Sequence, residues 1–274
     1  MAYELEGKKV LVTGASSGIG AALAEGFAER GATVGICARR ADRLEQVLER
    51  LKKHAPASRS WTLDLSELDG IAAFARTADD ELGGIDVLVN NAGIPKRRDV
   101  QRLTPDVVAD VMLINYLSPV RLTLALLPTL VERKGHIVNV SSIAARLGPP
   151  GEAAYAASKA ALTSFSESMK VDLRDTGVQV HVLNPGVIDT ELFQLPDNDP
   201  MVADEVEALP VEAVVQPVMD ALDSGAFEVY VPDWFADIVG GKFPDSGAFL
   251  DGTIEWLRTK RAERAPEEGS ARQG

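Results

Sequence analysis

Tyr155 and Lys159 stand four positions apart in A-A-Y-A-A-S-K-A-A-L, with Ser142 upstream in V-N-V-S-S. An α-helix turns once in about 3.6 residues, so such a pair shares a face and the ammonium can lie beside the phenol. A free tyrosine titrates at about pH 10, too high for a base at neutral pH, and a neighbouring cation favours the phenolate. The pair therefore suits proton transfer. By itself the spacing also describes a solvated helical face, so the other motifs decide between the two.

Those side chains need a scaffold. Short β-branched or aliphatic runs at 9–12, 33–38, 59–63, 86–89, 136–140, 179–183 and 228–231 read as strands separated by helical segments. The clearest helix is 41–53, where Leu44, Val47, Leu48 and Leu51 fall at i, i+3, i+4 and i+7. Alternating strands and helices imply right-handed crossovers and a parallel sheet covered on both faces, which explains strands that are apolar throughout. The expected fold is α/β, a single Rossmann-type doubly wound sheet of about seven parallel strands with helices on both faces, in one domain over 1–260. Acidic and proline positions with scattered large apolar groups make 190–210 a loop or short helices near a ligand, or else a surface excursion. From 261 to 274 too little apolar surface remains to pack, and the tail is expected to fray.

Composition excludes several functions. The 274 residues are 46% hydrophobic, and a formal charge of -13 repels polyphosphate, which argues against a nucleic-acid partner. Cys37 is the single cysteine, so no intrachain disulfide can form, and its apolar neighbours predict a buried, inert thiol suited to a reducing cytoplasm. The first residues lack the apolar core of a leader, and no uninterrupted apolar run reaches the length of about 20 residues that spans a bilayer. His54, His136 and His181 lack the spacing of a metal site or of a Ser-His-Asp order; they read as surface or satisfied structural residues, and no metal is expected.

Gly14, Gly18 and Gly20 in T-G-A-S-S-G-I-G follow the first strand and open a helix. Glycine there permits a tight turn and close backbone approach to a pyrophosphate, while the helix amino terminus offers free N–H groups and a positive dipole end. The second strand ends I-C-A-R-R, so Ala38 stands where a carboxylate would read a free ribose 2′-hydroxyl, and Arg39 and Arg40 follow. Two guanidinium groups suit a 2′-phosphate, which makes NADP(H) the expected cofactor over NAD(H), with Ser17 as an extra donor. A surface arginine pair flanking the next helix is the plainer alternative.

Together these residues resemble the short-chain dehydrogenase/reductase family. Besides the glycine motif, the chain carries Asp64-Leu65 after the third strand, N-N-A-G at 90–93 after the fourth and Asn115 in the following helix. Ser142, Tyr155, Lys159 and N-P-G-V-I-D-T at 184–190 complete the family's order and approximate spacing over 7–190. The resemblance implies an NADP(H)-dependent carbonyl reductase or alcohol dehydrogenase whose cofactor lies on Gly14, Ser16, Ser17, Gly18, Ile19 and Gly20, beside Arg39 and Arg40. It implies that Asp64 meets the adenine amino group and that Asn91 and Ala92 flank the adenosine ribose, with Leu65 and Gly93 as further cofactor contacts. Pro185, Gly186, Ile188 and Thr190 would line the nicotinamide, with Ile188 and Thr190 on its carboxamide. By the same resemblance Ser142 fixes the substrate carbonyl, Tyr155 is the acid/base, Lys159 lowers the tyrosine pKa and binds the nicotinamide ribose, and Asn115 holds a relay water. Singly, Asp64 and Thr190 could be helix caps and Asn90 and Asn91 turn-formers.

The glycine-rich last strand of many tetrameric members is missing; F-E-V-Y-V-P-D-W and an extension over 233–260 stand in its place. That disfavours the usual tetramer; the expected assembly is a homo-oligomer, dimer or tetramer, and the resemblance leaves room for a dimer through the helices of Asn115 and Tyr155. The extension could cover the substrate cleft, pack on a partner subunit or touch a membrane through Trp234, Phe235 and Trp256, the last opposed by its acidity. Leu147, Pro149, Leu192, Phe193 and Met201 suggest an apolar cleft wall and hence a hydrophobic ketone, aldehyde or alcohol as substrate. A fatty-acyl or sterol-type dehydrogenase and a non-catalytic NADP(H)-sensing protein are the alternatives.

Overall fold

The computed structural model describes residues 3–195, 198–199 and 207–270, with side chains up to 260 apart from those of 193 and 194. Met201 and the side chain of Phe193 lie outside the described residues. The chain alternates β1 (Lys9–Thr13), α1 (Gly18–Glu29), β2 (Thr33–Ala38), α2 (Ala41–Leu51), β3 (Arg59–Thr62), α3 (Ile71–Leu82) and β4 (Val87–Asn90). It continues through α4 (Pro105–Met112), α5 (Ser118–Glu132), β5 (His136–Val140), α6 (Ala144–Leu147), α7 (Ala153–Asp172) and β6 (Gln179–Pro185). Last come α8 (Val215–Ser224), β7 (Glu228–Val231), α9 (Phe235–Lys242) and α10 (Ser246–Ser270).

All seven strands pair in parallel in the order β3-β2-β1-β4-β5-β6-β7, the doubly wound sheet expected from the alternation. Successive side chains of a strand point to opposite faces, and the core divides accordingly. Val10 and Val12, Val87 and Val89, Val138 and Val140 face α1, α2 and α8 through Leu23, Phe27, Leu44, Val218 and Leu222. Leu11, Leu88 and Ile137 face α3, α5 and α7 through Phe74, Ala78, Leu122, Leu126 and Met169. The edge strands depart from the all-apolar expectation: β3 is exposed or half-buried at every residue, and β7 buries only Val231. An edge has one neighbour, and polar or charged edge residues oppose pairing with another molecule.

Strand ends differ from the expected ones by a residue or two, as hydrogen bonding decides them. Asp86 precedes β4 because its carboxylate accepts the Lys9 N–H at 2.8 Å. The helical run Pro105–Glu132 is long and apolar enough to cross a bilayer by length and composition; Leu122, Leu126 and Leu130 bury one of its faces against the sheet. A π turn at Leu113–Leu117 joins α4 to α5. After β6, the Ile188 and Leu209 backbones bridge, with Asp189 N–H to Leu209 O at 2.8 Å and Leu209 N–H to Val187 O at 3.0 Å. The expected substrate loop thus leaves and returns at adjacent points. Helix α10 carries helical backbone to Ser270, into the stretch expected to fray.

His136 and His181, distant in sequence, meet on β5 and β6 with Nδ1 and Nε2 2.9 Å apart. Because His181 Nδ1 lies 2.6 Å from the Ala226 carbonyl oxygen, it must carry the proton there, which leaves Nε2 to accept from His136 Nδ1–H. Each is a satisfied structural residue while neutral. Protonating His181 would put a second hydrogen between the rings; burial pushes both down to about 4 from 6.5, helped by His181 and Lys8 at His136 and by Lys170 at His181, where the Ala226 carbonyl opposes it. The unfolded chain therefore binds protons first. Stability from this pair is intact above pH 6.5 and is lost as pH falls toward 4, by on the order of 3 kcal/mol for each ring at about 1.4 kcal/mol per pH unit. Urea unfolding at pH 7.5 and 4.5 measures the loss; a His181→Gln protein, whose amide can replace both bonds, is expected to show a flatter pH dependence.

Candidate active site

The residues expected to do chemistry converge beyond the carboxyl ends of β4, β5 and β6. Ser142 follows β5 and its Oγ accepts the Ala144 N–H at 3.1 Å, which fixes the hydroxyl at the start of α6. Tyr155 lies in the first turn of α7, partly buried, its phenol near enough to Ser142 for that hydroxyl to favour the phenolate. One turn on, Lys159 is buried; its Nζ donates to the Val140 carbonyl at 2.8 Å and sits 5.8 Å from the Tyr155 ring centroid. Ser141 belongs to the scaffold, its hydroxyl 3.2 Å from Lys159 O and 2.8 Å from Thr163 Oγ1, so the offset that selects Ser142 picks the serine facing the tyrosine.

Asn115 is fully buried in the π turn. Its Oδ1 accepts the Ile94 N–H at 2.8 Å, while Nδ2 donates to Ile94 O at 2.9 Å and to Ser158 Oγ at 3.0 Å. The amide is thus occupied in tying the loop after β4 to α7. A Cβ on Gly93 would lie 3.2 Å from Asn115 Oδ1 and 3.4 Å from Lys159 Nζ, so the bare glycine lets the two polar groups close on the strand end.

Electrostatics correct one expectation. Lys159 was to hold the Tyr155 phenol down, yet the phenol is pushed well above its ordinary range by burial and by the Glu152 carboxyl, against smaller opposing pulls from Ser142 and Arg97. Lys159 cannot dominate because burial penalises its own charge and pushes it down to about 8. Glu152 and Arg97 escaped the sequence reading. Glu152 precedes Tyr155 by one helical turn, and burial pushes its carboxyl up to about 7 with Arg97 opposing. Arg97 is buried, its Nε donating to Asp199 O at 3.1 Å. Leu147, Pro149 and Leu192, the expected apolar wall, are half-buried, and Glu152 and Arg97 act on the tyrosine.

The glycine loop forms the cradle. Gly14 adopts φ +66°, and a Cβ on it would lie 2.7 Å from Ala92 Cα, so the turn runs against the strand β4 exit. Gly18, at φ +58°, faces Thr190, whose Cγ2 would lie 3.2 Å from a Cβ there. Asn91 braces the loop by donating to Thr13 O at 2.9 Å and Gly14 O at 3.2 Å. No side chain caps α1 at Ser17, so its first N–H groups, from Gly18, Ile19 and Gly20, have no acceptor among the described residues. That open terminus fits a pyrophosphate.

At the end of β2, Arg39 is exposed and makes no hydrogen bond or ion pair with described residues. Arg40 spans Ser17 Oγ at 2.7 Å, Ser16 Oγ at 3.0 Å and Glu191 Oε2 at 2.8 Å. Arg43, not foreseen, pairs with the other Glu191 oxygen. Asp64 accepts the Ser66 N–H at 2.9 Å, a local turn bond rather than the helix cap weighed for it, and that bond with the Arg39 charge holds its carboxyl below the usual range.

Other candidates serve the frame. Leu65 and Ile188 point into the core, leaving only backbone toward the site. Gly186 follows Pro185, where a Cβ would lie 2.5 Å from the Phe235 ring, so α9 packs on the end of β6. Lys242 Nζ donates to Arg146 O at 2.6 Å, tying α9 to α6 beside Ser142. The extension therefore packs on its own subunit at this end, while Trp234, Ile238, Phe243, Leu250, Ile254 and Trp256 stay exposed.

The short chain dehydrogenase model matches residues 8–199, which hold the cradle, Ser142, Tyr155 and Lys159 in one stretch. The chain belongs to the short-chain dehydrogenase family. It is 41% identical over 197 residues to an Anopheles gambiae dehydrogenase/reductase SDR family protein 7-like, covering 70% of this chain and 62% of that protein's length. An uncharacterized oxidoreductase of Myxococcus xanthus is 40% identical over 190 residues, covering 69% of this chain and 75% of its own. A Burkholderia cenocepacia short chain dehydrogenase in complex with NADP superposes with a TM-score of 0.76 at 32% identity, over 90% of this chain and 97% of that one. An alcohol dehydrogenase from Thermococcus sibiricus, complexed with 5-hydroxy-NADP, shares the fold with a TM-score of 0.73 at 24% identity, over 82% of this chain and 96% of that one.

Proposed function

We propose that the protein is an NADP(H)-dependent oxidoreductase interconverting a carbonyl and a secondary alcohol, with Tyr155 as acid/base and a hydrophobic ketone or aldehyde as substrate. The observation that carries the reading is buried Lys159 set 5.8 Å from the Tyr155 ring beyond the end of β5, where Ser142 is fixed and Asn115 ties the neighbouring loop to α7. When bound, the nicotinamide supplies the hydride and, in its oxidised form, a positive charge near the phenol.

Ser142 holds the substrate oxygen against the phenol. Tyr155, protonated at neutral pH by burial, donates its proton to the alkoxide that forms at that oxygen. Lys159 would hold the nicotinamide ribose and stabilises the phenolate left behind, while Asn115, its amide spent on Ile94 and Ser158, keeps the loop after β4 against α7. Half-buried Leu147, Pro149 and Leu192 favour an apolar substrate body, while Arg97 and Glu152 offer polar contact beside the reacting oxygen. Exposed Leu117, Leu124 and Val171 on the helices of Asn115 and Tyr155 support a homodimer there.

The cofactor preference rests on Ala38, Arg39 and Arg40, and on the Burkholderia relative bound to NADP. Each charge-assisted bond to a phosphate contributes about 1.5–3 kcal/mol, so Arg39→Ala should weaken NADPH binding by about 10- to 100-fold and leave NADH unchanged. Fluorescence titration with both nucleotides, beside an NADPH-oxidation screen of aldehydes, ketones and diketones, is the experiment. Equal turnover with NADH, or an unchanged NADPH affinity in the variant, would remove the preference; tight NADPH binding without turnover on any carbonyl would favour a sensor.

A further inference from the structure

We infer that Glu191 is a cofactor-specificity residue, an internal carboxylate that occupies the arginines of the adenosine-phosphate site and must be displaced by the incoming 2′-phosphate. Glu191 belongs to neither the glycine motif nor the β2 end. It opens the one-turn helix Glu191–Gln194 that starts the substrate loop, and Arg40 lies 151 positions earlier. The fold brings them together because the chain leaves β6 across the cradle, where Thr190 packs against Gly18.

The two oxygens of Glu191 are shared between two guanidinium groups. Oε2 takes Arg40 Nη1 at 2.8 Å and Oε1 takes Arg43 Nη1. The other nitrogens of Arg40 are spent on the cradle, with Nη2 on Ser17 at 2.7 Å and Nε on Ser16 at 3.3 Å. Arg40 thus has no idle edge to offer a phosphate; a bidentate grip requires it to release Glu191 or a serine. Glu191 is the cheaper partner to release, because half of its side chain is exposed and water replaces the lost bonds. Charge adds to this: two arginines suit a phosphate of charge about -2, but a third anion wedged between them repels it.

The carboxylate therefore screens nucleotides. One bearing a 2′-phosphate can exchange anion for anion at Arg40 and Arg43, whereas one with a bare 2′-hydroxyl cannot and leaves the latch closed. The exchange also frees the first turn of the substrate loop from α2, linking cofactor arrival to the segment beside the substrate. Since this role follows only if Arg39 and Arg40 read a 2′-phosphate, it rests on the cofactor preference proposed above, and the test separates the two.

Calorimetric titration with adenosine 2′,5′-bisphosphate and with 5′-ADP, on the wild-type, Glu191→Gln and Arg40→Ala proteins, needs no turnover. Glutamine keeps the shape and loses the charge. The 2′,5′-bisphosphate should bind Glu191→Gln about three- to tenfold tighter than wild type, with 5′-ADP unchanged, and Arg40→Ala should bind it more weakly. Unchanged or weaker binding by Glu191→Gln, with Arg40→Ala still impaired, overturns the displacement and leaves the cofactor preference standing. If the bisphosphate binds no better than 5′-ADP to wild type and neither substitution matters, both fail. Melting temperatures of the variants report whether each protein is folded.

Discussion

Tyr155→Phe is expected to lower the rate of NADPH-dependent carbonyl reduction by about 10²- to 10⁴-fold, the range of a lost general acid, with the NADPH dissociation constant unchanged. The substitution removes one oxygen from a partly buried ring. Ser142 keeps its bond from the Ala144 N–H, so the strand end and α6 stay in place. Lys159 keeps the Val140 carbonyl, so the neighbouring cation is not displaced either. Single-turnover oxidation of bound NADPH, measured beside a fluorescence titration of the cofactor, separates chemistry from binding. A near-native rate would assign the proton to another group, of which Glu152 is the first to test.

The second large effect concerns Lys159. Replacing a buried ammonium by methionine keeps an unbranched chain of similar volume and removes a charge held in a poorly solvating place. Lys159→Met is therefore expected to melt no lower than wild type while losing about 10²- to 10³-fold in turnover, the usual cost of removing one preorganised electrostatic contact. Stability and activity should move apart. The wild-type rate should change through about pH 8, where the ammonium is lost from the folded protein, and that step should vanish in the variant. A variant that loses stability and activity together would make Lys159 a structural anchor for β5.

What the sequence reveals here divides along physical lines. Apolar runs with turn chemistry between them announce all seven strands, since a strand covered on both faces has nowhere to place a polar residue, and β3 fails the pattern because it is an edge. The cradle and the Tyr155-Lys159 pair are legible because each depends on contacts within a turn or two. Arg43 with Glu191, Arg97 with Glu152 and Tyr155, and His136 with His181 were not, since each joins segments that only the closed sheet brings together. The π turn was invisible for a different reason: Asn115 sits in an apolar helical stretch whose period one extra residue barely disturbs. Burial and the Glu152 carboxyl, which push the Tyr155 phenol up, were not legible either, because burial is a property of the fold.

The bridge between Ile188 and Leu209 has an evolutionary consequence. Chain that departs from and rejoins the scaffold at neighbouring points can lengthen, shorten or change sequence without shifting the strands, because loop closure grows only slowly more costly with length. The proposed hydride and proton chemistry lies on the scaffold side of that clasp, and the proposed substrate loop on the other. A lineage can then acquire new substrates by rewriting one excursion, and grafting that excursion between relatives should carry selectivity with it.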